Sequence, residues 1–184
     1  MDRMRRGLRA LLSPPFAEPA PPVPAEAVAL LARRLEAAGR ARLGRSLAIR
    51  VVDTGSCGGC ELELAALDGG AVHDLERFGL RFVESPRHAD VLLVTGPVCR
   101  NLREAVELAL GAMAAPRWVV AVGDCAVDGG VFKGSYAIEP GGAQASLPVD
   151  LVIPGCPPTP VQLLEGLLAL IEAEDPPRRA EGSR

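Results

Sequence analysis

Four cysteines of this chain stand in segments rich in glycine and proline. Cys57 and Cys60 lie in Asp53-Thr-Gly-Ser-Cys-Gly-Gly-Cys-Glu-Leu-Glu63, Cys125 in Gly123-Asp-Cys125, and Cys156 in Pro154-Gly-Cys-Pro-Pro-Thr-Pro160. Each segment follows a short apolar run that reads as a β-strand. Each thiol thus falls in the loop leaving a strand's C-terminal end. In an open α/β sheet those loops gather along one edge, where ligands bind. Four converging thiolates, with glycines that let the backbone wrap closely and prolines that withhold competing N–H donors, meet the needs of a [4Fe–4S] cluster. Cys60 also precedes a predicted helix, whose positive end favours thiolate. Structural zinc binds four cysteines as well, but zinc modules usually carry two local pairs, and here one pair is followed by two distant single cysteines. A free cysteine is often a small core residue, which suits one of these positions better than four. Disulfides are disfavoured if the chain stays in a reducing compartment.

The remaining polar residues are more ordinary. Cys99, in Thr95-Gly-Pro-Val-Cys-Arg100, follows another strand-like run and reads as a partly buried thiol near the same edge. Glu61 and Glu63 read as carboxylates in a helix's first turn, favoured by its dipole, with proton handling as the functional alternative. His73 and His88 are isolated and suit solvent-facing or capping positions. Arg87 reads as a loop arginine or a charge at the cluster edge. Trp118 reads as core, and Asp124 and Asp128 as turn residues.

These residues need a scaffold. Strand-like runs at Leu47–Val52, Leu80–Val83, Val91–Thr95, Trp118–Val122 and Val149–Ile153 alternate with helical patterns at Glu61–Leu67, Leu102–Met113 and Val161–Ala173. Alternation of this kind predicts an α/β fold with a doubly wound parallel sheet. Runs apolar at every position, such as Val91-Leu-Leu-Val94, predict strands covered on both faces. The organisation expected is a basic N-terminal arm and proline-rich linker (1–24), an N-terminal helix (25–45), an iron–sulfur α/β domain (46–173) and a disordered tail (174–184). At 184 residues and 48% apolar the chain suits one buried core, while a net charge of −3 and 3% aromatics leave no footprint for nucleic acid. No apolar run reaches the roughly 18–20 residues of a membrane span. The Arg5-Arg6 pair is followed by too short an apolar stretch for an export signal. Residues 1–12 read as a tail or as a short basic helix lying on a partner or an anionic surface.

Four ordered motifs carry a family resemblance over roughly residues 46–172. They are Cys57-x-x-Cys60-Glu-x-Glu63, Ser85-Pro-Arg-His-Ala-Asp90 before Leu92-Leu-Val-Thr-Gly96, Gly123-x-Cys125-x-x-x-Gly129-Gly130, and Pro148-Val-Asp-x-x-x-Pro154-Gly-Cys-Pro-Pro-x-Pro160. Together they resemble the family of [NiFe]-hydrogenase small subunits and the related 20 kDa subunit of respiratory complex I. Complex I subunits carry adjacent cysteines at the first motif. The C-x-x-C here resembles the hydrogenase form, most of all the group 4 formate-hydrogenlyase and energy-converting type. The resemblance implies a flavodoxin-like fold and one proximal [4Fe–4S] cluster held by Cys57, Cys60, Cys125 and Cys156. It further implies a separate [NiFe]-hydrogenase-type large subunit, a ferredoxin-like iron–sulfur subunit and membrane-arm subunits as partners. The chain would then lie in the cytoplasm, peripheral on the inner face of the membrane. Glu63 matches the family's carboxylate three residues after the second cysteine, which makes it the stronger candidate for proton handling. Cys99 departs from the family pattern.

The function expected is electron transfer between such partners. Competing readings are a complex I-like or nickel-free relative, a flavin-binding module and a zinc-stabilised module. Thr54-Gly-Ser56 gives only a trace of the phosphate cradle a flavin needs. The glycine-rich segment 123–148 is expected to have too few apolar residues to pack by itself and to form part of the large-subunit interface, with Phe132, Tyr136 and Ile138 as anchors.

Overall fold

The computed structural model describes residues 25–69 and 79–173. The arm and linker (1–24), His73 and the tail (174–184) lie outside the described residues. The chain runs α1 (Ala25–Leu43), β1 (Leu47–Asp53), α2 (Gly59–Gly69), β2 (Leu80–Phe82), a 3-10 turn (Pro86–His88), β3 (Val91–Thr95) and α3 (Arg100–Ala112). It continues through β4 (Trp118–Val122), α4 (Asp124–Asp128), a second 3-10 turn (Gly130–Phe132), α5 (Gly142–Ser146), β5 (Leu151–Ile153) and α6 (Pro160–Glu172).

The five strands form one sheet in the order β2-β1-β3-β4-β5. All four pairings are parallel, with Val51 opposite Leu93, Leu93 opposite Val120 and Val120 opposite Leu151. This is the strand order of flavodoxin-like folds, and it reverses between β1 and β3. Both faces are covered, as the apolar runs require. Val91, Leu93, Trp118, Val120 and Val122 point into a large-residue layer with Ala32 and Leu35 of α1, Leu64 and Leu67 of α2, and Leu163, Leu164 and Leu167 of α6. Their neighbours Leu92, Val94, Val119 and Ala121 point the other way, into a small-residue layer with Val106, Met113, Ala126, Ala143 and Leu147. The period of two along each strand sends alternate residues to opposite layers.

Helix α6 starts on a capping box, in which the Thr159 side chain accepts from the Gln162 N–H and Gln162 accepts from the Thr159 N–H, with Pro160 in the first turn. Helix α1 belongs to the same layer. Arg42 donates to the Ile171 carbonyl (2.7 Å) and to that of Ala173, and its guanidinium also lies 5.6 Å from the Trp118 ring centroid. The segment 123–148 departs from expectation. It folds into α4, a 3-10 turn and α5, and its small residues Ala126 and Ala143 are fully buried under Leu147. Small side chains let backbone approach backbone closely, so few large apolar groups are needed there. No described helix is long and apolar enough to cross a membrane.

Candidate functional site: a thiol-lined sheet edge

The loops after β1, β3, β4 and β5 meet at the C-terminal edge of the sheet, and each ends in a fixed turn. After β1, the Asp53 carboxylate accepts the N–H groups of Gly55 and Ser56, both at 2.8 Å. This closes an Asx turn that brings the chain to Cys57. Buried Thr54 joins this loop to the one after β3. Its hydroxyl donates to the Thr95 carbonyl (2.6 Å) and accepts from the Val98 N–H (3.1 Å), while its carbonyl accepts from the Cys99 N–H (2.8 Å). Val98 is held at φ 54° by these bonds, in a region a β-branched residue rarely enters.

A second joint links the loops after β4 and β5. The Asp124 N–H donates to the Gly155 carbonyl (2.9 Å), and the Gly155 N–H donates back to Asp124 Oδ1 (2.8 Å). Cys125 and Cys156 are each one residue from this reciprocal pair. Asp124 is therefore a positioning residue rather than a simple turn former. A signal was present in the sequence, since Asp124 adjoins Cys125, but its partner lies 31 residues away. Asp128 is the ordinary turn residue expected, accepting from the Gly130 N–H (3.0 Å) and pairing with Lys133 (2.7 Å).

The thiols of Cys57, Cys60, Cys125 and Cys156 lie near enough to act on one another electrostatically. Burial pushes the Cys60 thiol up from its ordinary 9.0 to about 12, and Glu61 and the thiols of Cys125, Cys57 and Cys156 add to the shift. Cys125 is raised chiefly by burial, against a lowering hydrogen bond from the Val131 backbone, with Cys156 and Cys57 among the raising charges. Cys57 and Cys156 are exposed, Cys60 is half-buried and Cys125 is buried, so the group opens to solvent on one side. The backbone leaves room for it. A Cβ on Gly123, which sits at φ 87°, would lie 2.6 Å from Cys60 Sγ, and one on Gly130 would lie 3.0 Å from Cys125 Sγ. Among the described residues, no three of His, Cys, Asp and Glu form a group that could hold a metal ion as they stand. A four-thiol donor set with glycine where a side chain would intrude does fit the chemistry of an iron–sulfur cluster.

Cys99 is set apart from this group. It caps α3, its Sγ lies 4.0 Å from the Gly55 carbonyl oxygen, and it does not figure among the charges acting on Cys60 or Cys125. Glu63 is half-exposed on α2 and has no hydrogen-bond partner among the described residues. Glu61 is the more unusual carboxylate: Oε1 accepts from the Ser56 hydroxyl at 2.9 Å, and Oε2 is buried without a partner among the described residues. Arg87 lies at the opposite edge, because it precedes β3 instead of following it. His88 beside it is exposed, and Trp118 is core at 4% exposure. Of the three expected anchors, Tyr136 is 88% exposed and Phe132 is half-buried. Ile138 is buried and bridges to Cys99, so it anchors the segment to this chain.

Fold and edge together define a doubly wound α/β protein with cysteines in the loops at the C-terminal edge of its parallel sheet. Residues 57–170 match the family described as NADH ubiquinone oxidoreductase, 20 Kd subunit, and the chain belongs to that family. It is 42% identical over 148 residues to the probable membrane-bound hydrogenase subunit mbhJ of Pyrococcus furiosus, covering 76% of this chain and 86% of that one. It is 44% identical over 124 residues to an NADH-quinone oxidoreductase subunit of Citrifermentans bemidjiense, covering 67% and 71%. Among solved structures it is similar to a chain of the membrane-bound sulfane sulfur reductase, an archaeal respiratory membrane complex. That match has a TM-score of 0.61 and 28% identity over 76% of this chain and 74% of the other.

Proposed function

We propose that this chain is the electron-transfer small subunit of a membrane-associated [NiFe] hydrogenase complex, with Cys57, Cys60, Cys125 and Cys156 holding one proximal [4Fe–4S] cluster. The observation that carries the reading is the convergence of these four thiols on one sheet edge, with Cys57, Cys125 and Cys156 each acting electrostatically on Cys60. When bound, such a cluster supplies one-electron transfer. The chain's own residues position it. Asp53 and Thr54 set the Cys57 loop, and the Asp124–Gly155 pair sets the Cys125 and Cys156 turns. Gly123 and Gly130 keep side chains out. Exposed Tyr136 and Val131, at 88% and 79%, flank the Cys125 turn and suit contact with a large subunit that carries the reacting centre. A ferredoxin-like subunit and membrane-arm subunits complete the proposed assembly. These partners hold the chain at the inner face of the cytoplasmic membrane.

The first motif's C-x-x-C spacing favours the hydrogenase type. A second reading, a complex I-like or nickel-free assembly, is supported by the NADH-quinone oxidoreductase relative and by the reductase complex. Anaerobic reconstitution tests the site: close to four irons and four acid-labile sulfides per chain are expected, with an EPR signal on reduction. Zinc without sulfide would overturn it. Nickel content of the co-purified large subunit separates the two assemblies.

A further inference from the structure

The edge opposite the thiols carries a second concave site. A hollow of about 300 Å³ opens at the N-terminal ends of the strands, lined by Arg45, Arg81, Arg87, His88 and Asp90, with a wall at Ala114–Pro116. That volume is at the small end of ligand pockets. The carboxylate among these residues is already engaged. Asp90, 1% exposed, takes both arms of the Arg45 guanidinium (2.8 and 2.6 Å) and the Ala48 N–H (2.9 Å). Nearby Arg117 donates instead to the carbonyls of Leu110 and Met113, which caps α3. Arg81 and Arg87 are exposed and have no ion-pair partner among the described residues. Three arginines therefore line one small hollow against a single carboxylate, which the Arg45 guanidinium already satisfies. The wall of Ala114, Ala115 and Pro116 offers no deep apolar pocket of the kind that anchors a peptide side chain.

We propose that this hollow binds a phosphate group, with Arg81 and Arg87 as the recognising forks and the Arg45–Asp90 pair as their rigid floor. Guanidinium donors match the planar, bidentate geometry of phosphate oxygens better than an ammonium does. The group can come from a phospholipid headgroup or from a free phosphate-bearing solute. The inference is independent of the cluster reading, because no thiol takes part.

The test uses the full chain. Inorganic phosphate is titrated calorimetrically into the wild type, Arg81→Gln/Arg87→Gln and Arg81→Lys/Arg87→Lys. Saturable binding is expected in the wild type, at least tenfold weaker in both variants, with melting temperatures unchanged because both side chains are exposed. Equal binding in all three, or none in the wild type, overturns the site. A lysine variant that binds as well as wild type would overturn fork recognition and leave simple charge attraction. Sedimentation with phosphatidylcholine vesicles, with and without phosphatidylglycerol, is then run in an Arg3→Gln/Arg5→Gln/Arg6→Gln/Arg9→Gln background so that the arginines of the arm do not contribute. Loss of vesicle binding in Arg81→Gln/Arg87→Gln assigns a lipid headgroup, and unchanged vesicle binding beside lost phosphate binding assigns a free solute. Capture by poly-glutamate with no response to phosphate would overturn the proposal in favour of an acidic protein partner.

Discussion

The two ends of the sheet are held by different chemistry. At the N-terminal end, one buried carboxylate, Asp90, joins the Arg45 side chain and the Ala48 backbone, and its hydrogen bonds are complete within the chain. At the C-terminal end the joints run from loop to loop, through Thr54, Asp124 and Gly155. Four thiols stand near one another there, with Cys60 pushed up to about 12. Val98 is strained at the same end. At the first end the buried carboxylate closes its contacts on one side chain and one strand, whereas at the second the contacts join separate loops and set the positions of the thiols. Strain and perturbed thiols persist where surrounding structure over-determines them.

Gly123→Ala puts this contrast under the greatest stress. The added Cβ would meet Cys60 Sγ at 2.6 Å from a backbone at φ 87°. The expected result is loss of most reconstituted iron together with a stability drop of about 2–3 kcal/mol by urea unfolding. Retention of full iron content would show that the thiols are not crowded around a common ligand. Asp90→Ala probes the other end. It should cost about 2 kcal/mol by leaving the Ala48 N–H and a guanidinium unpaired, while iron per folded chain stays at the wild-type value. If iron fell in parallel, the two ends would not be independent.

Smaller effects separate the parts of the thiol end. Asp124→Ala should lower stability by about 1.5 kcal/mol and speed iron release to a chelator, because it frees the Cys156 loop from the Cys125 turn. In the metal-free chain the raised Cys60 thiol makes folding pH-dependent. An unfolded thiol ionises near 9.0 and the folded one near 12. Between those values the folded state binds more protons at Cys60, so this thiol's contribution to stability is constant below pH 9 and is lost as pH rises towards 12. Urea midpoints against pH should show that fall, and Cys60→Ser should reduce it. The smallest change is expected from Cys99→Ser, which should keep the iron, whereas serine at Cys57, Cys60, Cys125 or Cys156 should lose or convert the cluster. Loss of iron in Cys99→Ser with retention in Cys57→Ser would reverse the ligand assignment.

Much of this architecture is legible from local pattern. The all-apolar runs at Val91–Val94 and Val119–Val122 announce strands covered on both faces, because a parallel sheet between two helical layers buries every position. The C-terminal placement of Cys57, Cys125 and Cys156 follows from strands ending just before them. Arg87 and Ile138 are harder. Nothing local distinguishes a loop before a strand's first residue from one after its last, and so the sequence leaves Arg87 free to be placed at the cluster edge, where it does not lie. Ile138 reads as an anchor for another subunit because its partner in this chain, Cys99, lies 39 residues earlier.

Residue types and their order along the chain are enough for the five strands, the longer helices and the loops in which the cysteines stand, but not for the short helices α4 and α5, since periodicity and turn chemistry act over a few neighbours. Tertiary packing sets which groups meet across long separations: Asp124 with Gly155, Asp90 with Arg45, and Arg45, Arg81 and Arg87 around one hollow. Those pairings depend on strand order and register. In a parallel sheet these come from crossovers that bring together residues with no signature of one another in the sequence.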